Sequence, residues 1–598
     1  MKKRIICIFL AISMILALAA CRKNDNGKLV TEDPAFTEKE LPVLRNDTDS
    51  TETAKVRIYE DMPDVPYINV ESFYDQFFLV NTDLTDGMSC SRDGSKYTLT
   101  NTGGDTAIFD VAAETIVISN VDAFVLTAFA LKIDNGTGVD ENHPYIKMSD
   151  VYAPADPAPK TIDLKDYGID LRGDDTGVYA PVATLADLFS SVETYHVVYF
   201  GGKIYTADFT GVYVPGSVLR TYPDYIADVE TDRSPALADF TYRELCFNLD
   251  LWYGQPGQEW AHEDLKTMKF DELLTTKYPE IREMLLSTDF RTFYTGIMNL
   301  INGILFDGGH TTLAISRLFA GDPELSGAAA QGMMDKEYAL KFLKTQTIDP
   351  MQTAYRIAAR DAAYGDNFYL EQGDTAMIRF DSFVTDYDGW KAFYAGTGER
   401  PLKFGQPGAE QNDTVGVVLT ALERAKQNPE IKNIIIDMSC NGGGDSGAMM
   451  AVEWLLTGSG YSRFESKMTD RIKTSSVQFD MNFDGKFDEN DVSPYTGYKF
   501  GVLTSSFAFS CANAFPWFMR DHGAVIFGQK TSGGACAIRI SSAGGVEFAC
   551  SSASSAIIND SGENVDFGCP VDFDLISEGE NPYENFYDLE NLSRLMNG

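Results

Sequence analysis

Residues 433–444 read Asn-Ile-Ile-Ile-Asp-Met-Ser-Cys-Asn-Gly-Gly-Gly, an apolar run that ends in three glycines. Such a run is typical of a strand buried on both faces, as in a parallel sheet covered by helices. Because glycine has no side chain, the turn after the strand lets the backbone approach a bound group closely. The segment therefore predicts a central strand of an α/β sheet with a functional turn at its carboxyl end.

Strand and helix patterns alternate on both sides of this segment, from Thr375 onward. The predicted strands and helices are 376–380, 414–427, 431–437, 447–456, 500–504, 511–522 and 524–528. This alternation requires crossover connections and predicts an α/β domain at 375–598. Residues 235–374 have the i, i+3, i+4 spacing of helices and are expected to form a helical cap region. Residues 61–234 are short alternating strands broken by Gly, Asp and Asn, which predicts a β-rich N-terminal domain in an α+β multidomain chain.

Two segments of the N-terminal region share one pattern. Residues 66–77 and 178–189 each begin as a strand and continue into an amphipathic helix, with Ser72 and Thr184 as the predicted capping residues. An internal duplication and a chance similarity both agree with this pattern. The region contains no evident catalytic motif.

Two further segments carry reactive side chains. Ser510 lies in the run Thr504-Ser-Ser-Phe-Ala-Phe-Ser-Cys-Ala-Asn-Ala-Phe515, between a predicted strand and a predicted helix. His310 lies in the glycine-rich run Phe306-Asp-Gly-Gly-His-Thr-Thr-Leu313. Acyl transfer needs a hydroxyl held at a turn, a base to take its proton, and backbone N–H groups for the oxyanion. Ser510, His310 and the glycine turn supply these parts, with Cys511 open as an alternative nucleophile.

These segments together resemble the C-terminal-processing (tail-specific) and tricorn-like serine peptidase family. The resemblance covers about residues 240–598, and its motifs are Asp437 to Gly444, the Ser510 segment, and Val525-Ile-Phe-Gly-Gln-Lys-Thr-Ser-Gly-Gly534. It implies a crotonase-like α/β peptidase domain and hydrolysis of peptide bonds in protein or peptide substrates. It implies no cofactor for catalysis.

The family has two catalytic arrangements, and the sequence favours one of them. Tail-specific members use a lysine downstream of the serine, but Gly534 stands at that position and Lys530 is four residues early. The tricorn-like and retinoid-binding-protein-like branch uses a histidine in an Asp-Gly-His-Thr run, which Asp307-Gly-Gly-His-Thr311 resembles with one added glycine. Only about sixty-five residues, mostly helical in pattern, separate His310 from the strand at 376, so no inserted PDZ domain is predicted.

The resemblance implies a role for each residue of the site. His310 takes the proton of Ser510, and the backbone N–H groups of Gly443 and Cys511 hold the oxyanion. A carboxylate near the C-terminus orients the histidine, with Asp566 as the candidate and Glu563 as the fallback. Asn513 departs from the glutamate that many members carry. The alternative function is a peptide- or ligand-binding surface lipoprotein that keeps this fold without turnover.

The N-terminus predicts an extracytoplasmic address. Lys2, Lys3 and Arg4 precede an apolar stretch, and Leu16-Ala-Leu-Ala-Ala is followed by Cys21. This is the pattern of a secretory signal peptide, residues 1–20, and its end resembles the bacterial lipobox. The resemblance implies lipidation of Cys21 and a protein anchored to the cell membrane on its extracytoplasmic face. Residues 21–60 are polar and are expected to form a flexible tether.

Composition restricts the partners. The formal net charge is −39, which argues against nucleic acid as a partner. The seven cysteines after Cys21 show no regular spacing, so neither a disulfide framework nor a zinc site is predicted.

An acidic loop in residues 480–491 fits the spacing of calcium-binding loops. The run is Asp-Met-Asn-Phe-Asp-Gly-Lys-Phe-Asp-Glu-Asn-Asp, with the glycine at position 6. The candidate ligands, in positions 1, 3, 5, 7, 9 and 12, are Asp480, Asn482, Asp484, Lys486, Asp488 and Asp491. An aspartate at position 12 resembles dockerin-type loops. The predicted ion is a structural Ca²⁺, and an acidic surface hairpin without an ion is the alternative.

Overall fold

A computed structural model describes most of the chain after residue 33. The described residues are 34–45, 52–77, 88–125, 138–140, 142–190, 195–208, 232–313, 332, 336–402, 413–534, 536–578 and 581–598. Cys21 and the signal peptide lie outside these ranges. Within them, no helix is long and apolar enough to cross a membrane.

The N-terminal region is rich in strands, as predicted. Its strands are β1 Phe36–Arg45, β2 Thr53–Tyr59, β3 Met62–Asn69, β4 Ser89–Asp93, β5 Lys96–Thr100, β6 Thr106–Asp110, β7 Thr115–Ile118, β8 Ile146–Ala153, β9 Lys160–Asp163, β10 Arg172–Asp174, β11 Gly177–Pro181, β12 Tyr195–Phe200 and β13 Lys203–Asp208. Its α-helices are α1 Val70–Phe77, α2 Val121–Phe124 and α3 Val182–Phe189, and a 3₁₀ turn spans Lys165–Tyr167.

All of these strands except β8 belong to two sheets. One has the order β10-β11-β3-β2-β1-β13-β12, and the other has the order β4-β5-β6-β7-β9. The two similar segments are strand–helix units, β3–α1 and β11–α3, and their strands pair antiparallel. In the first unit the cap is Asn69, whose side chain accepts from the N–H of Ser72 at 3.1 Å.

The tether prediction is wrong for most of residues 34–60. β1 pairs antiparallel with β2 and parallel with β13, so this segment is an integral part of the larger sheet. Only Leu41 and Val43 of β1 are buried, and its first five residues are exposed. A strand with so few buried positions lacks the alternation by which strands are recognised in a sequence.

The next region is helical, as predicted. Its α-helices are α4 Pro235–Trp252, α5 His262–Leu265, α6 Phe270–Thr276, α7 Pro279–Leu285, α8 Phe290–Asn299, α9 Ala339–Leu343 and α10 Asp349–Tyr364. Two π-helical turns span Leu300–Ile304 and Lys344–Ile348, and β14 is Thr312–Leu313. The apolar faces of α4 to α9 share one core with β22 and β23, which belong to the C-terminal region, whereas Tyr364 of α10 belongs to a different core.

The C-terminal region has the predicted alternation of strands and helices. Its strands are β15 Tyr369–Gln372, β16 Thr375–Arg379, β17 Asn433–Asp437, β18 Gly460–Ser466, β19 Arg471–Phe479, β20 Lys499–Thr504, β21 Val525–Gly528, β22 Cys536–Ala543, β23 Val546–Ile558 and β24 Phe573–Asp574. Its α-helices are α11 Tyr387–Tyr394, α12 Thr414–Gln427, α13 Ser446–Thr457, α14 Cys511–Asp521 and α15 Leu589–Asn597, and a 3₁₀ turn spans Val565–Phe567.

The main sheet of this region has the order β15-β16-β17-β20-β21-β24. Its pairs are parallel except for β15 with β16. Every residue of β17 is buried, as the apolar run predicted. The carboxyl ends of parallel strands lie at one edge of the sheet, where α/β proteins commonly bind ligands. The turns after β16, β17, β20 and β21 therefore meet at this edge.

A second sheet joins the regions. It has the order β14-β23-β18-β19-β8, with β22 paired to β23. β8 was predicted as part of the N-terminal domain, but it pairs along its whole length with β19. β8 therefore pairs across the domain boundary that was predicted at residue 234. The sequence analysis missed this, because backbone pairing between distant segments leaves no local signal in a sequence.

Candidate active site

Ser510 occupies a strained position at the start of α14. Its backbone has φ 56° and ψ −126°, a conformation that is costly for a residue other than glycine. Its N–H donates to the carbonyl of Gly533 at 2.8 Å, and the side chain is half-buried. A serine on a sharp turn between a strand and a helix is the arrangement that exposes a nucleophilic hydroxyl in the α/β hydrolases.

The glycine turn after β17 packs directly against Ser510. A Cβ placed on Gly443 would lie 2.8 Å from Cβ of Ser510 and 2.6 Å from the carbonyl oxygen of Phe509. Gly443 has φ 110°, so a larger residue would be excluded both by its conformation and by the contact. The carbonyl of Gly443 accepts from the N–H of Phe383 at 2.9 Å and from Ser382 Oγ at 3.0 Å. The turn is therefore fixed beside the serine.

The predicted oxyanion donor at this turn needs a correction. The N–H of Gly443 already donates to Oδ1 of Asn441 at 2.8 Å. Among the described residues, no acceptor is found for the N–H of Gly444, the next residue, which is exposed. The N–H of exposed Gly442 likewise has no acceptor there, so the N–H groups of this turn that are left for a bound group are those of Gly442 and Gly444. The sequence missed this because a side-chain acceptor two residues upstream has no signature of its own.

Cys511 supports the turn. Its thiol donates to the carbonyl of Gly444 at 3.0 Å, and the residue is 8% exposed. Its backbone nitrogen lies 3.2 Å from the position of a Cβ on Gly443, so the backbone at residue 511 is next to the turn, and its role as an oxyanion donor stays a prediction. A buried thiol used as a hydrogen-bond donor is not placed as a nucleophile, and this favours Ser510 over Cys511.

His310 lies next to the Ser510 segment without engaging Ser510. Its ring packs edge to face on Phe509, with ring centroids 4.8 Å apart. The imidazole is buried, and its Nδ1 has no hydrogen-bond partner among the described residues. No hydrogen bond between His310 and Ser510 is found in the described part of the chain. Burial lowers the pKa of His310, although the charge of Asp307 and a hydrogen bond with the backbone of Cys536 oppose this.

Asp307 is the carboxylate that shapes the histidine loop. Its Oδ1 accepts from the N–H groups of Gly309 at 3.1 Å and Thr311 at 2.9 Å, and its Oδ2 accepts from the hydroxyls of Thr311 and Ser551. Four donors satisfy this buried carboxylate and hold the loop that presents His310. The aspartate stands in the sequence motif, but its role depends on Ser551 in β23, which the sequence does not connect to it.

Asp566 is bonded to the Gly533–Gly534 turn that contacts the backbone of Ser510. Its Oδ1 accepts from the N–H of Gly534, next to the Gly533 carbonyl that receives the N–H of Ser510. Asp566 was predicted to orient His310, but the carboxylate whose charge acts on His310 is Asp307. The fallback, Glu563, is exposed and hydrogen-bonded to Asn559. Asn513 also braces this turn, since its side chain joins the carbonyl of Val565 to the hydroxyl of Thr531.

Lys530 contacts the segment around Gly568. It is exposed, and its Cε is 3.2 Å from the position of a Cβ on Gly568. That Lys530 is not the base stays a prediction.

A second histidine, which the sequence analysis did not single out, clamps the far end of the glycine turn. Buried His143 contacts Asp140 through Nδ1 at 2.5 Å and Asp445 through Nε2 at 2.7 Å. Asp445 also accepts from Tyr387 at 2.8 Å and caps α13 by accepting from the N–H groups of Gly447 and Ala448. Burial alone would lower the pKa of His143, but the charges and hydrogen bonds of Asp445 and Asp140 raise it to about 10. The histidine is therefore a buried cation.

In the predicted calcium loop, the carboxylates of Asp480 and Asp491 accept hydrogen bonds from N–H groups of the loop's own backbone. Asp480 accepts from the N–H groups of Asp484 at 3.2 Å and Gly485 at 2.8 Å, and Asp491 accepts from Met481 at 2.8 Å and Asp488 at 3.0 Å. Within the described ranges, no group of three or more His, Cys, Asp or Glu side chains is arranged to hold a metal ion. The Ca²⁺ site stays a prediction.

Several known proteins are similar to this chain. No curated protein matches it. A candidate peptidase from Parabacteroides merdae is 14% identical over 61% of this chain and 98% of its own, with a TM-score of 0.37. The photosystem II D1 C-terminal processing protease is 15% identical over 38% of this chain and 49% of its own, with a TM-score of 0.25. A lipoprotein from Streptococcus agalactiae is 13% identical over 40% of this chain and 74% of its own, with a TM-score of 0.26.

A family model gives the remaining comparison. The model of peptidase family S41 matches residues 375–566. This range contains the glycine turn, Ser510 and Asp566, whereas His310 lies before it. Residues 375–566 are therefore similar to the domain of peptidase family S41.

Proposed function

We propose that this protein is a serine peptidase that cleaves extracytoplasmic proteins or peptides through an acyl-enzyme on Ser510. The observation that carries the proposal is the strained backbone of Ser510, with φ 56°, at a helix start packed against a glycine turn. Strain of this kind persists where the surroundings fix it, and it concentrates at functional sites. The S41 match over residues 375–566 supports the same reaction class.

The proposed reaction is ordinary acyl transfer. His310 accepts the hydroxyl proton of Ser510 as Oγ attacks the peptide carbonyl carbon, and the carbonyl oxygen becomes an oxyanion held by the N–H of Gly444. His310 then gives the proton to the leaving amine, and the C–N bond breaks. Water hydrolyses the ester next: His310 takes a proton from the water as its oxygen attacks the acyl carbon, and returns that proton to Oγ of Ser510 as the ester bond breaks. Burial suits His310 to this role, because its lowered pKa keeps it neutral and able to accept a proton near pH 7.

The choice of His310 as base follows the tricorn-like branch. Catalytic hydrogen bonds are often long in the absence of substrate and tighten in the complex, so a separated serine and histidine are compatible with catalysis. Lys530 is the weaker candidate, because it stands four residues before the position at which tail-specific members carry their lysine.

The second candidate function is peptide or ligand binding without turnover. The observation that favours it is the unpaired Nδ1 of His310, which contacts Phe509 and is not bonded to Ser510 in the described residues. The two functions differ in whether Ser510 reacts.

A fluorophosphonate probe on the purified protein separates the two functions. The peptidase proposal expects covalent labelling of the wild type, loss of labelling and cleavage in Ser510→Ala, and unchanged labelling in Cys511→Ser. If the wild type does not label but binds peptides, the binding function is correct. Labelling that persists in Ser510→Ala and disappears in Cys511→Ser would make Cys511 the nucleophile.

We also propose that Cys21 is lipidated and anchors the protein to the membrane. The lipobox-like end of the signal peptide supports this address. Two or more acyl chains hold a protein firmly, at about 0.8 kcal/mol for each buried methylene. The mature protein should partition into detergent, and Cys21→Ser should be released or left unprocessed. Recovery of soluble protein with another N-terminus would exclude the anchor.

A further inference from the structure

The aromatic ring of Phe509 contacts two loops of the candidate active site. Phe509 directly precedes Ser510, and its side chain is half-buried. A Cβ placed on Gly309 of the histidine loop would lie 3.1 Å from this ring, and one placed on Gly534 would lie 2.5 Å from it. The ring therefore lies where the histidine loop meets the Gly533–Gly534 turn.

Three glycines leave room for the ring. They are Gly308, Gly309 and Gly534, and together they are called the glycine cradle here. Gly308 and Gly534 have φ 113° and 85°, a backbone conformation that favours glycine by itself. The φ of Gly309 is not positive, so what opposes a side chain at that position is the contact with the Phe509 ring.

The same ring is the partner of His310. The two rings pack edge to face with centroids 4.8 Å apart, and Nδ1 of His310 has no hydrogen-bond partner among the described residues. A general base must come within about 2.6–3.2 Å of the group whose proton it takes. In the described arrangement, His310 contacts the residue before the candidate nucleophile instead of the nucleophile.

The backbone of Phe509 is fixed, whereas its side chain can rotate. The carbonyl of Phe509 accepts from the N–H of Ala512 at 3.0 Å, and the next N–H, that of Ser510, donates to the carbonyl of Gly533 at 2.8 Å. A phenylalanine side chain makes no hydrogen bonds, and a partly exposed side chain changes its rotamer rapidly. The ring can therefore leave the glycine cradle without displacing Ser510.

We propose that the ring of Phe509 in the glycine cradle is an autoinhibitory contact, and that it must leave the cradle before His310 can bond to Ser510. The inference rests on the proposed function and concerns its regulation. A substrate polypeptide that binds only the open state would shift the equilibrium toward it. A phenylalanine that merely supports the imidazole has the opposite consequence, because its removal would slow the reaction at Ser510.

The test measures the rate at which a fluorophosphonate labels Ser510 in the full-length protein. Phe509→Ala empties the cradle. A minor open state is commonly populated to about 0.1–10%, so labelling should accelerate by about tenfold or more.

A second variant displaces the ring without removing it. Gly309→Ala places a Cβ 3.1 Å from the ring, so the ring must shift, and labelling should again accelerate. The double variant Gly309→Ala/Phe509→Ala should label no faster than Phe509→Ala, because the added Cβ then has no ring to displace. Gly309→Ala also tests the inference if Phe509→Ala does not fold.

Two controls identify the cause of the acceleration. Phe507→Ala removes another half-buried ring of the same segment, which lies against Gly442, 3.3 Å from the position of a Cβ there. Its labelling should not accelerate. Phe509→Ala/His310→Ala should lose the acceleration, because the gain requires His310 to reach Ser510.

Three results would overturn the inference. They are labelling of Phe509→Ala and Gly309→Ala at or below the wild-type rate, an equal acceleration in Phe507→Ala, and an acceleration that persists without His310. In each case, labelling of the wild type at Ser510 would still support the peptidase function. An absence of labelling in the wild type and in both single variants, with all three folded by circular dichroism, would refute the peptidase function and the inference with it.

Discussion

Two buried histidines lie near the candidate active site, and the groups around them shift their pKa values in opposite directions. His143 lies between Asp140 and Asp445, and these carboxylates raise its pKa to about 10, so it is a cation at neutral pH. His310 packs against Phe509 with one ring nitrogen unpaired among the described residues, and burial lowers its pKa. Burial alone therefore does not decide what a histidine does. The neighbouring charges make the difference: two carboxylates keep His143 protonated, whereas His310 has a lowered pKa and is the proposed base.

The two histidines also come from different parts of the chain. His143 precedes β8, in the N-terminal half, and holds Asp445 at the start of α13. His310 comes from the helical region, after the π turn. The S41 match covers neither of them. The region with the S41 match thus receives the His143 ion pair and the candidate base from segments outside the matched range.

The largest effect is expected from removal of the candidate base. His310→Ala should lower kcat by about 10² to 10⁴, because a positioned general base contributes that much to proton transfer. Lys530→Ala is the matched control and should retain most activity. Steady-state kinetics on both variants measure this difference. The reverse outcome would make Lys530 the base and remove the contrast between the two histidines.

Replacement of His143 should mainly lower the free energy of unfolding. His143→Gln leaves two buried carboxylates without their cation, and breaking one partner of a buried ion pair costs about 3–5 kcal/mol. Denaturant unfolding of the variant should show this loss. His522→Gln is the control, since His522 is exposed and stacks on Phe518. A loss below 1 kcal/mol in His143→Gln would mean that the two carboxylates do not depend on the histidine.

Local patterns in the sequence were enough for the central part of the domain. The apolar run before Asp437 predicted β17, and α12 spans the predicted residues 414–427. Ser510 and its glycine turn were found because each lies in a short segment with a distinctive composition. In these cases the residues that determine the structure are neighbours in the chain.

Contacts between distant segments could not be predicted in this way. His143 and Asp445 are 302 positions apart, and neither lies in a recognisable motif. The acceptor for Gly443 is a side chain whose orientation depends on the folded turn, so Gly443 was chosen where Gly442 and Gly444 have the available N–H groups. Asp566 was assigned to His310 by resemblance, but its carboxylate supports the Gly534 turn. One sequence without its folded geometry does not distinguish these arrangements.

The pH dependence should separate the two histidines. With His310 as the proposed base, activity requires its neutral form. The pKa of His310 is lowered from 6.5, so kcat/KM should be flat near pH 7 and fall in acid with a midpoint below 6.5. The His143 contribution to stability has the opposite sign. Its folded pKa exceeds the unfolded value, so the stabilisation is complete below about 6.5 and is lost as the pH rises through about 10.

Two measurements test the predicted fall of kcat/KM in acid and the predicted loss of stability in alkali. The pH–rate profile of the wild type gives the acid limb, and denaturant unfolding between pH 6 and 10 gives the alkaline loss of stability. The alkaline loss should be much smaller in His143→Gln. An acid limb centred above pH 7, or an alkaline loss of equal size in both proteins, would contradict the assignment of charges.

The smallest effect is expected from Ca²⁺ at residues 480–491. Burial and the charge of Asp491 raise the pKa of Asp480, and a cation bound between them would relieve this repulsion. A bound ion stabilises by mass action, by about 2.7 kcal/mol at a hundred times its Kd, but here the carboxylates must first leave their own backbone N–H partners. The melting temperature should therefore rise by only a few degrees between chelator and millimolar Ca²⁺, and Asp484→Ala should abolish the rise. Calorimetry without binding heat, together with an unchanged melting temperature, would leave an acidic hairpin closed by its own hydrogen bonds.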